Sequence, residues 1–541
     1  MSRIRSFCSA FSSILFLLLL LPTLIAVASL YFYPALQGCS FPLTSSGSES
    51  IIANGNGHLT LRPNVPAPFR LLALGDPQLE GDSSLPDPNA PAFPSLRRFK
   101  KNEFQWRNVS RLARDVVLKD VPRLFQGYRK RLDLWGNDYY LAHIYRLMRW
   151  WTQPTHTVVL GDLLGSQWID NEEFEERARR FWGRAFAGGV KVPDEVMDEK
   201  GRTEILGSDD AWVDTIMAVP GNHDIGYAGD INEERVVRFE RVFGKMNWDI
   251  SFALGSPESA PSLHLVLLNS MNIDSPAFSA SLQNTTHDFL SRQLTNPSSP
   301  TNQATVLLTH IPLHKAPGIC VDSTFFDYFP SWNGYGIKEQ NHLSEEASAN
   351  ILNMLLSTET ERSEPNERND ASFDRSTPSR IRPKAIILNG HDHEGCDTYH
   401  YLSRDADNTA DSWAALPYPD SDPVRGLASQ LGLREVTVRS MMGQFGGNAG
   451  LLSAWWEPAV LEGYLDGVYV DGVAEHGEWK FEYASCGLGV QHWWWGTHVL
   501  AVVEVVLGLV WVVTRTVEAV FSATRAGGKK RQVGKGKEKK G

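Results

Sequence analysis

The chain has 541 residues, 42% of them apolar and 21% charged, and a net charge of −11. That is enough apolar sequence for one large core or two smaller ones, and too much for a disordered chain. The acidic balance argues against a nucleic-acid-binding surface, which is normally basic.

After Arg3 and Arg5 no charge occurs until Glu49. Within that stretch Ile14–Tyr33 is long and apolar enough to span a bilayer, which leaves residues 1–13 as a short N-terminus. The alternative is a cleaved signal peptide, since Ala26-Val27-Ala28 resembles a cleavage site. The apolar run exceeds a usual signal core and continues past that site, which favours a retained anchor. Residues 34–67, rich in Ser, Gly, Asn and Pro, read as a stalk.

Residues 68–490 read as one domain. Short apolar runs recur at Arg70–Leu74, Thr157–Leu160, Thr215–Val219, Leu263–Leu268, Thr305–Leu308 and Ala385–Leu388, with the length and β-branched content of strands buried on both faces. Helical patterns lie between them, over Asn108–Arg131, Tyr139–Trp151, Asn171–Phe186, Glu233–Phe243 and Ser344–Leu356. This alternation predicts an α/β domain. After Arg434 the pattern turns strand-like (Arg434–Ser440, Gly467–Asp471, Glu478–Ala484), as a second sheet completing a sandwich would be. Residues 357–383 and 404–425 are polar and rich in Ser, Asp and Pro, and read as disordered insertions.

Trp493–Val513 is a second candidate span. Glu504 near its centre costs roughly 2.5–3.5 kcal/mol on insertion scales, which the surrounding Val, Leu and Trp offset; a buried core helix is the alternative. Residues 514–541 form a basic tail. Since positive residues stay cytosolic, Arg3, Arg5 and this tail predict two spans with both termini in the cytosol and the large domain in a lumen. The sequons at Asn108 and Asn284 agree with a glycosylated lumenal face. Of five cysteines, Cys8 precedes the first span. Cys39, Cys320, Cys396 and Cys486 would meet an oxidising lumen, where three pairings are open. Cys320 and Cys396 follow His310 and His393 by ten and three residues, so a bond between them would pin two loops at the site described next.

Chemistry-bearing residues follow the apolar runs directly: Asp76-Pro77-Gln78 after the first, then Gly161-Asp162, Gly221-Asn222-His223-Asp224, Thr309-His310 and Gly390-His391-Asp392-His393. Sites in open α/β sheets assemble at the carboxyl ends of strands. Carboxylate and amide oxygens with imidazole nitrogens suit Mn²⁺, Fe or Zn²⁺. The loop Gly443–Gly450 is a further candidate to approach this site through its backbone.

The ordered set resembles the calcineurin-like metallophosphoesterases, whose pattern runs D-x-H, G-D, G-N-H-[DE], H, G-H-x-H. The resemblance covers residues 68–395. It implies a four-layer αββα sandwich, flanked here by two transmembrane helices, and a pair of divalent metals. Asp162 would bridge the metals, Asp76 and His393 would bind the first, and Asn222, His310 and His391 the second. His223 would be the proton donor or phosphoryl-charge stabiliser, with Asp224 orienting its ring. Two such metals stabilise an in-line displacement at phosphorus. Where the family has His, this chain has Gln78, which is either a weaker, harder ligand that favours Mn²⁺ or a hydrogen-bonding neighbour of the ligands. His314, outside the pattern, is a candidate for substrate phosphate.

The Gly75–Gly81 stretch, in a lumenal domain between two spans, looks like the glycosylphosphatidylinositol (GPI)-remodelling phosphodiesterases, and most like their fungal trafficking-associated member. That resemblance implies Mn²⁺-dependent removal of ethanolamine phosphate from a mannose of the anchor glycan, on GPI-anchored proteins or the free glycolipid. A lumenal metallophosphoesterase acting on another lipid, nucleotide or glycan diester is one alternative. A non-catalytic, cargo-sorting membrane adaptor is another. Lys537 and Lys539 lie where a dilysine retrieval signal would be read by vesicle coat proteins, an address for the endoplasmic reticulum.

Overall fold

The structure is a computed structural model. It describes residues 2–44, 52–53, 59–60, 65–81, 85, 91–98, 106–255, 260–295, 302–331, 335–356, 384–404, 411–427, 430–465 and 468–537. The chain divides into two compact units, residues 1–37 with 489–541, and residues 38–488.

The first unit consists of helices α1 (Ser2–Leu36) and, at the other end of the chain, α7 (Gln491–Lys537). Each is long and apolar enough to cross a membrane, over Ala10–Leu36 and Gln491–Phe521. Phe16 and Trp511 stack with ring centroids 5.7 Å apart. Glu504 is buried within this unit.

In the second unit the strands of the two large sheets are, in chain order, β1 (Phe69–Leu74), β2 (His156–Leu160), β3 (Val190–Lys191), β4 (Thr203–Ile205), β5 (Thr215–Val219), β6 (Trp248–Ala253), β7 (Ser262–Leu267), β8 (Gln303–Leu308), β9 (Lys384–Asn389), β10 (Cys396–Arg404), β11 (Asp411–Pro417), β12 (Gly432–Thr437), β13 (Asn448–Leu465) and β14 (Val468–Gly487). Between them lie α2 (Val121–Thr152), α3 (Asn171–Arg180), α4 (Glu233–Phe243), α5 (Ala280–Thr295) and α6 (Glu345–Leu356). One sheet has the order β14-β13-β1-β2-β5-β3 and the other β11-β10-β12-β9-β8-β7-β6-β4. At the centre of the first, β1, β2 and β5 run parallel; at the centre of the second, β7, β8, β9 and β12 do.

Strand periodicity explains the core. Side chains two residues apart share a face, and Phe69, Leu71 and Ala73 of β1 meet Leu263, Leu265 and Leu267 of β7 and Ala304, Val306 and Leu308 of β8 in one buried cluster. The opposite faces are covered too: Leu72 and Leu74 are fully buried, α2 packs beside β13, and α6 packs on β9. Full burial of such side chains stabilises by about 1.5–3 kcal/mol each. All six apolar runs in the sequence are therefore central strands.

Four expectations need correction. Residues 404–425 are not a disordered insertion as a whole, because β11 pairs antiparallel with β10 from Thr398↔Pro417 to Arg404↔Asp411; paired backbone and the Trp413–Asn353 hydrogen bond (3.0 Å) replace the missing apolar core. The strands after Arg434 do not form a separate sheet. Arg434–Thr437 joins the eight-stranded sheet, and the later runs fold into the β13–β14 hairpin at the edge of the other. The helical patterns at 108–131 and 139–151 join into one rod from Trp106 to Thr152, through a π-turn at Val116–Asp120. Asp138 does not break it, since its buried carboxylate is paired with Arg180 (2.7 Å) and Arg184 (2.7 Å). Finally, part of the expected stalk is docked: Cys39 and Phe41 are buried, and Pro42 O accepts from Ser453 Oγ at 2.7 Å. The insertion at 357–383 lies outside the described residues.

Candidate metal centre

The ends of five strands supply the site. On one sheet, β1 leads into Asp76 and Gln78, β2 into Asp162, and β5 into Asn222 and His223. On the other, β8 leads into His310 and β9 into His391 and His393. Asp76, Asp162 and His310 have ligand atoms within 4.8 Å of one another, and all three are buried. The loops must come very close. Gly161, at φ +91°, lies under the His310 ring, and a Cβ there would overlap it; a Cβ on Gly221 would collide with Asp162. Asp76, Gln78, Asp162 and His391 adopt φ of 49°, 41°, 50° and 73°. Left-handed backbone costs a non-glycine residue about 1–3 kcal/mol and gathers at functional sites. Four such residues on converging loops mark this as one.

Hydrogen bonds fix the direction of the ligand atoms. His310 Nδ1 donates to Leu160 O (2.7 Å), and His391 Nε2 donates to Gln340 O (2.9 Å). Each ring thereby turns its other nitrogen, with a lone pair, inward. His310 Nε2 lies 3.1 Å and His391 Nδ1 3.0 Å from the same atom, Asn222 Oδ1. Burial lowers the pKa of both rings, that of His391 to about 3, so both are neutral. Three acceptors thus face one another with no proton between them, and Asp162 Oδ1 stands 3.5 Å from His310 Nε2.

The other half of the site is arranged differently. Gln78 turns its amide nitrogen inward, donating to Asp162 Oδ2 (2.9 Å) and contacting His393 Nε2 (3.2 Å). Asp76 Oδ1 accepts from the His391 amide (3.0 Å), while Oδ2 is buried without a partner.

The charges are unbalanced. Burial and the Asp162 charge push Asp76 well above the usual carboxylate range. Burial also opposes charge on Asp162, yet His223, through its ring and its backbone amide, holds it below that range. Among the described residues no Lys or Arg pairs with either carboxylate. Buried acids without a cation, an orphaned Asp76 oxygen and converging neutral imidazoles fit a divalent ion of the Mn²⁺, Fe or Zn²⁺ kind.

His223 sits at the rim, 37% exposed, its Nε2 3.8 Å from Asp162 Oδ2 and its amide donating to Asp162 Oδ1 (2.8 Å). Asp224 does not orient this ring. Its carboxylate accepts from the amides of Gly221 (2.9 Å), Leu163 (3.1 Å) and Leu164 (2.9 Å), and His223 Nδ1 makes no hydrogen bond. Burial and the Asp162 charge raise Asp224 to about 8; its role is to lock the Asp162 and Asn222 loops together. His314 has its amide on Ser348 Oγ (2.8 Å), and among the described residues no hydrogen bond or ion pair joins its ring to the converging set. Cys320 is bonded to Cys396, and Cys39 to Cys486. Asn284 is exposed on α5; the Asn108 and Lys537 side chains, and Lys539 altogether, lie outside what is described.

Other contributors had no motif to reveal them. Ser440, fully buried, donates its hydroxyl to Asp76 O (3.1 Å) and its amide to His393 O (3.1 Å), tying the two sheets together under the site. Glu435 on β12 accepts from the Leu313 amide (2.8 Å) and Asn389 Nδ2 (2.6 Å), and pairs with Lys315 (2.8 Å) and His400 (2.5 Å). It thereby braces the His310 loop and the His391 loop from behind. The Gly443–Gly450 loop reaches the site through a side chain, with the Phe445 ring 4.8 Å from that of His393.

A divalent-metal site of this make-up, at the carboxyl edges of two facing sheets, defines a metallophosphoesterase class of centre. Protein TED1 of Saccharomyces cerevisiae is 30% identical to this chain over 424 residues, 70% of this chain and 77% of TED1. The chain belongs to the TED1 family of calcineurin-like metallophosphoesterases. An uncharacterized Schizosaccharomyces pombe protein is 28% identical over 60% of this chain and 64% of its own length. Metallophosphoesterase 1 of Danio rerio is 23% identical over 53% of this chain and 64% of its own length. The chain thus spans just under two thirds of these last two relatives. No protein-family model matches. Among solved structures, GAP50, the anchor in the inner membrane complex of Plasmodium, matches 77% of this chain and 81% of its own at 9% identity and a TM-score of 0.27, too low to carry an argument.

Proposed function

We propose that this chain is a two-metal phosphodiesterase of the endoplasmic reticulum membrane. In this reading it removes ethanolamine phosphate from a mannose of GPI anchors, on the glycolipid or on anchored proteins, and so supports their export. The observation that carries the reading is the convergence of His310 Nε2, His391 Nδ1 and Asn222 Oδ1 beside the Asp162 carboxylate, with His223 at the open rim. Family membership supports phosphoester chemistry, and the Gly75–Gly81 stretch supports the substrate.

When bound, a divalent pair, with Mn²⁺ preferred, would supply Lewis-acid stabilisation of the phosphoryl oxygens and a water of lowered pKa. Asp162 would touch both positions; Asp76, His393 and Gln78 would hold one ion, and Asn222, His310 and His391 the other. Gln78 could coordinate only after its amide turns to present oxygen. His223 would give a proton to the departing mannose alkoxide as the water oxygen joins phosphorus and the phosphorus–mannose oxygen bond breaks. Asp224 acts indirectly, holding the turn that keeps His223 over Asp162. The products are ethanolamine phosphate and a free mannose hydroxyl.

The terminal helices and their flanking charges support a lumenal catalytic unit with both termini cytosolic. Glycans would then be carried on Asn108 and Asn284, and Lys537 and Lys539 would be read by coat proteins. Changing both lysines to Ser should release the protein toward the Golgi with catalysis intact; unchanged residence would remove the tail from the account. The substrate is tested by mass analysis of anchor glycans in cells lacking this chain. They should keep an ethanolamine phosphate that the native chain removes and the Asp162→Asn chain does not. Unchanged glycans would redirect the activity to another phosphodiester.

A further inference from the structure

The helix α2 has two faces that differ in kind. One is core: Tyr140, Leu141, Ile144, Tyr145 and Met148 are buried. The other carries Phe125, Tyr128, Leu132, Trp135 and Tyr139, between 37% and 71% exposed. Their spacings of three, four, three and four residues place them in one stripe along the helix. Trp150, 62% exposed, extends the same phase by three turns. Arg146, exposed between Tyr139 and Trp150, is the charged residue in this phase; a solvated helix would carry charge along the whole face.

We propose that α2 lies on the bilayer surface, with this stripe set among the lipid headgroups. The proposal rests on reading the terminal helices as spans of the same membrane. Three further observations choose lipid as the occupant. First, the stripe is built of Phe, Tyr, Trp and Leu, the residues that settle at the membrane–water interface. Second, residues 106–152 carry ten Lys and Arg against four Asp, in a chain whose net charge is −11; Arg129 and Arg131 flank the stripe and are exposed. A basic helix with one apolar face fits phosphate headgroups. Third, the C-terminal half of α2 packs at the place where the chain enters and leaves the catalytic unit. Cys39 and Cys486, near its first and last residues, are bonded together, and the Met148 sulfur is 3.6 Å from that of Cys486. The Leu488 amide donates to Gly447 O (2.9 Å), and Gly447 lies against Tyr140 and Ile144. The loop that holds Gly447 also holds Phe445, which touches His393. Docking α2 would therefore bring the metal centre within reach of a lipid-borne phosphodiester.

The test uses the full chain in phosphatidylcholine vesicles, with Cys8→Ser so that the introduced cysteine is the one labelled. An environment-sensitive fluorophore is placed at Phe125→Cys or Leu132→Cys, with Glu195→Cys as a surface control. The stripe labels should be quenched by lipid spin-labelled near the headgroup and shielded from aqueous iodide, while the control shows the reverse. Adding phosphatidylserine should strengthen the shielding, and Arg129→Glu with Arg131→Glu should cancel that gain. Stripe labels open to iodide would overturn the proposal. So would labels shielded from iodide but untouched by spin-labelled lipid, since that marks a second copy or another protein on the stripe. The label reads depth rather than turnover, so failure here is distinct from failure of the phosphodiesterase reading.

Discussion

The two halves of the centre use the same device, a polar loop at the carboxyl end of a buried strand, yet they face inward with opposite hydrogen-bond polarity. Around Asn222, His310 and His391 everything inward is an acceptor, because Leu160 O and Gln340 O have taken the ring N–H groups. Around Asp76 and His393 the Gln78 amide supplies N–H donors to Asp162 and approaches His393. One half is preorganised for a cation. The other already has a neutral donor where an ion would sit, and must turn one side chain to receive it. In the two-metal reading proposed above, that one residue, Gln78, would decide which half fills first.

The largest effect that bears on this contrast comes from the residue both halves share. Asp162→Asn should lose metal from both and reduce turnover to background, because a neutral amide replaces the carboxylate; full metal content with near-normal rate would disprove the shared role. Next comes His223→Ala, which belongs to neither half. It should keep its metal and lose about 10²–10⁴-fold in rate, and metal loss in this variant would instead make His223 a ligand. Glu435→Gln weakens the bracing of the His310 and His391 loops and should lower metal affinity by about 10–100-fold. Leaving Lys315 buried without its partner should also cost about 3–5 kcal/mol of stability, read by denaturant unfolding. Normal affinity in the folded variant would confine Glu435 to stability. The smallest change is Gln78→His. It should bring the metal count toward two at lower Mn²⁺ concentration and improve tolerance of Zn²⁺, and an unchanged count would mean that the halves do not differ.

Much of this architecture is legible in the sequence because it depends on short range. Apolar runs of β-branched residues and Leu marked the central strands, and the Gly-Asp, Gly-Asn-His and Gly-His-x-His punctuations marked the loops that converge. Long-range satisfaction was not visible. Nothing local says that Asp138 is neutralised by arginines 42 and 46 residues away, or that the helical patterns on either side of it belong to one helix. Nor does a lone Glu435 within a strand announce that it braces two loops, or Ser440 that it joins two sheets. The motif placed Asp224 beside His223 in sequence, but the backbone amides of Leu163 and Leu164 claimed its carboxylate. Residues 404–425 read as disordered because β11 is held by an edge pairing, which needs little apolar sequence.

The most direct measurement is release of ethanolamine phosphate from a GPI glycolipid by the purified full-length chain, titrated with Mn²⁺ after chelation. The account predicts no product in the stripped protein, product restored by Mn²⁺, and none from the Asp162→Asn chain at any Mn²⁺ concentration. Metal bound at the site with no release of ethanolamine phosphate, or release that persists without metal, would contradict it.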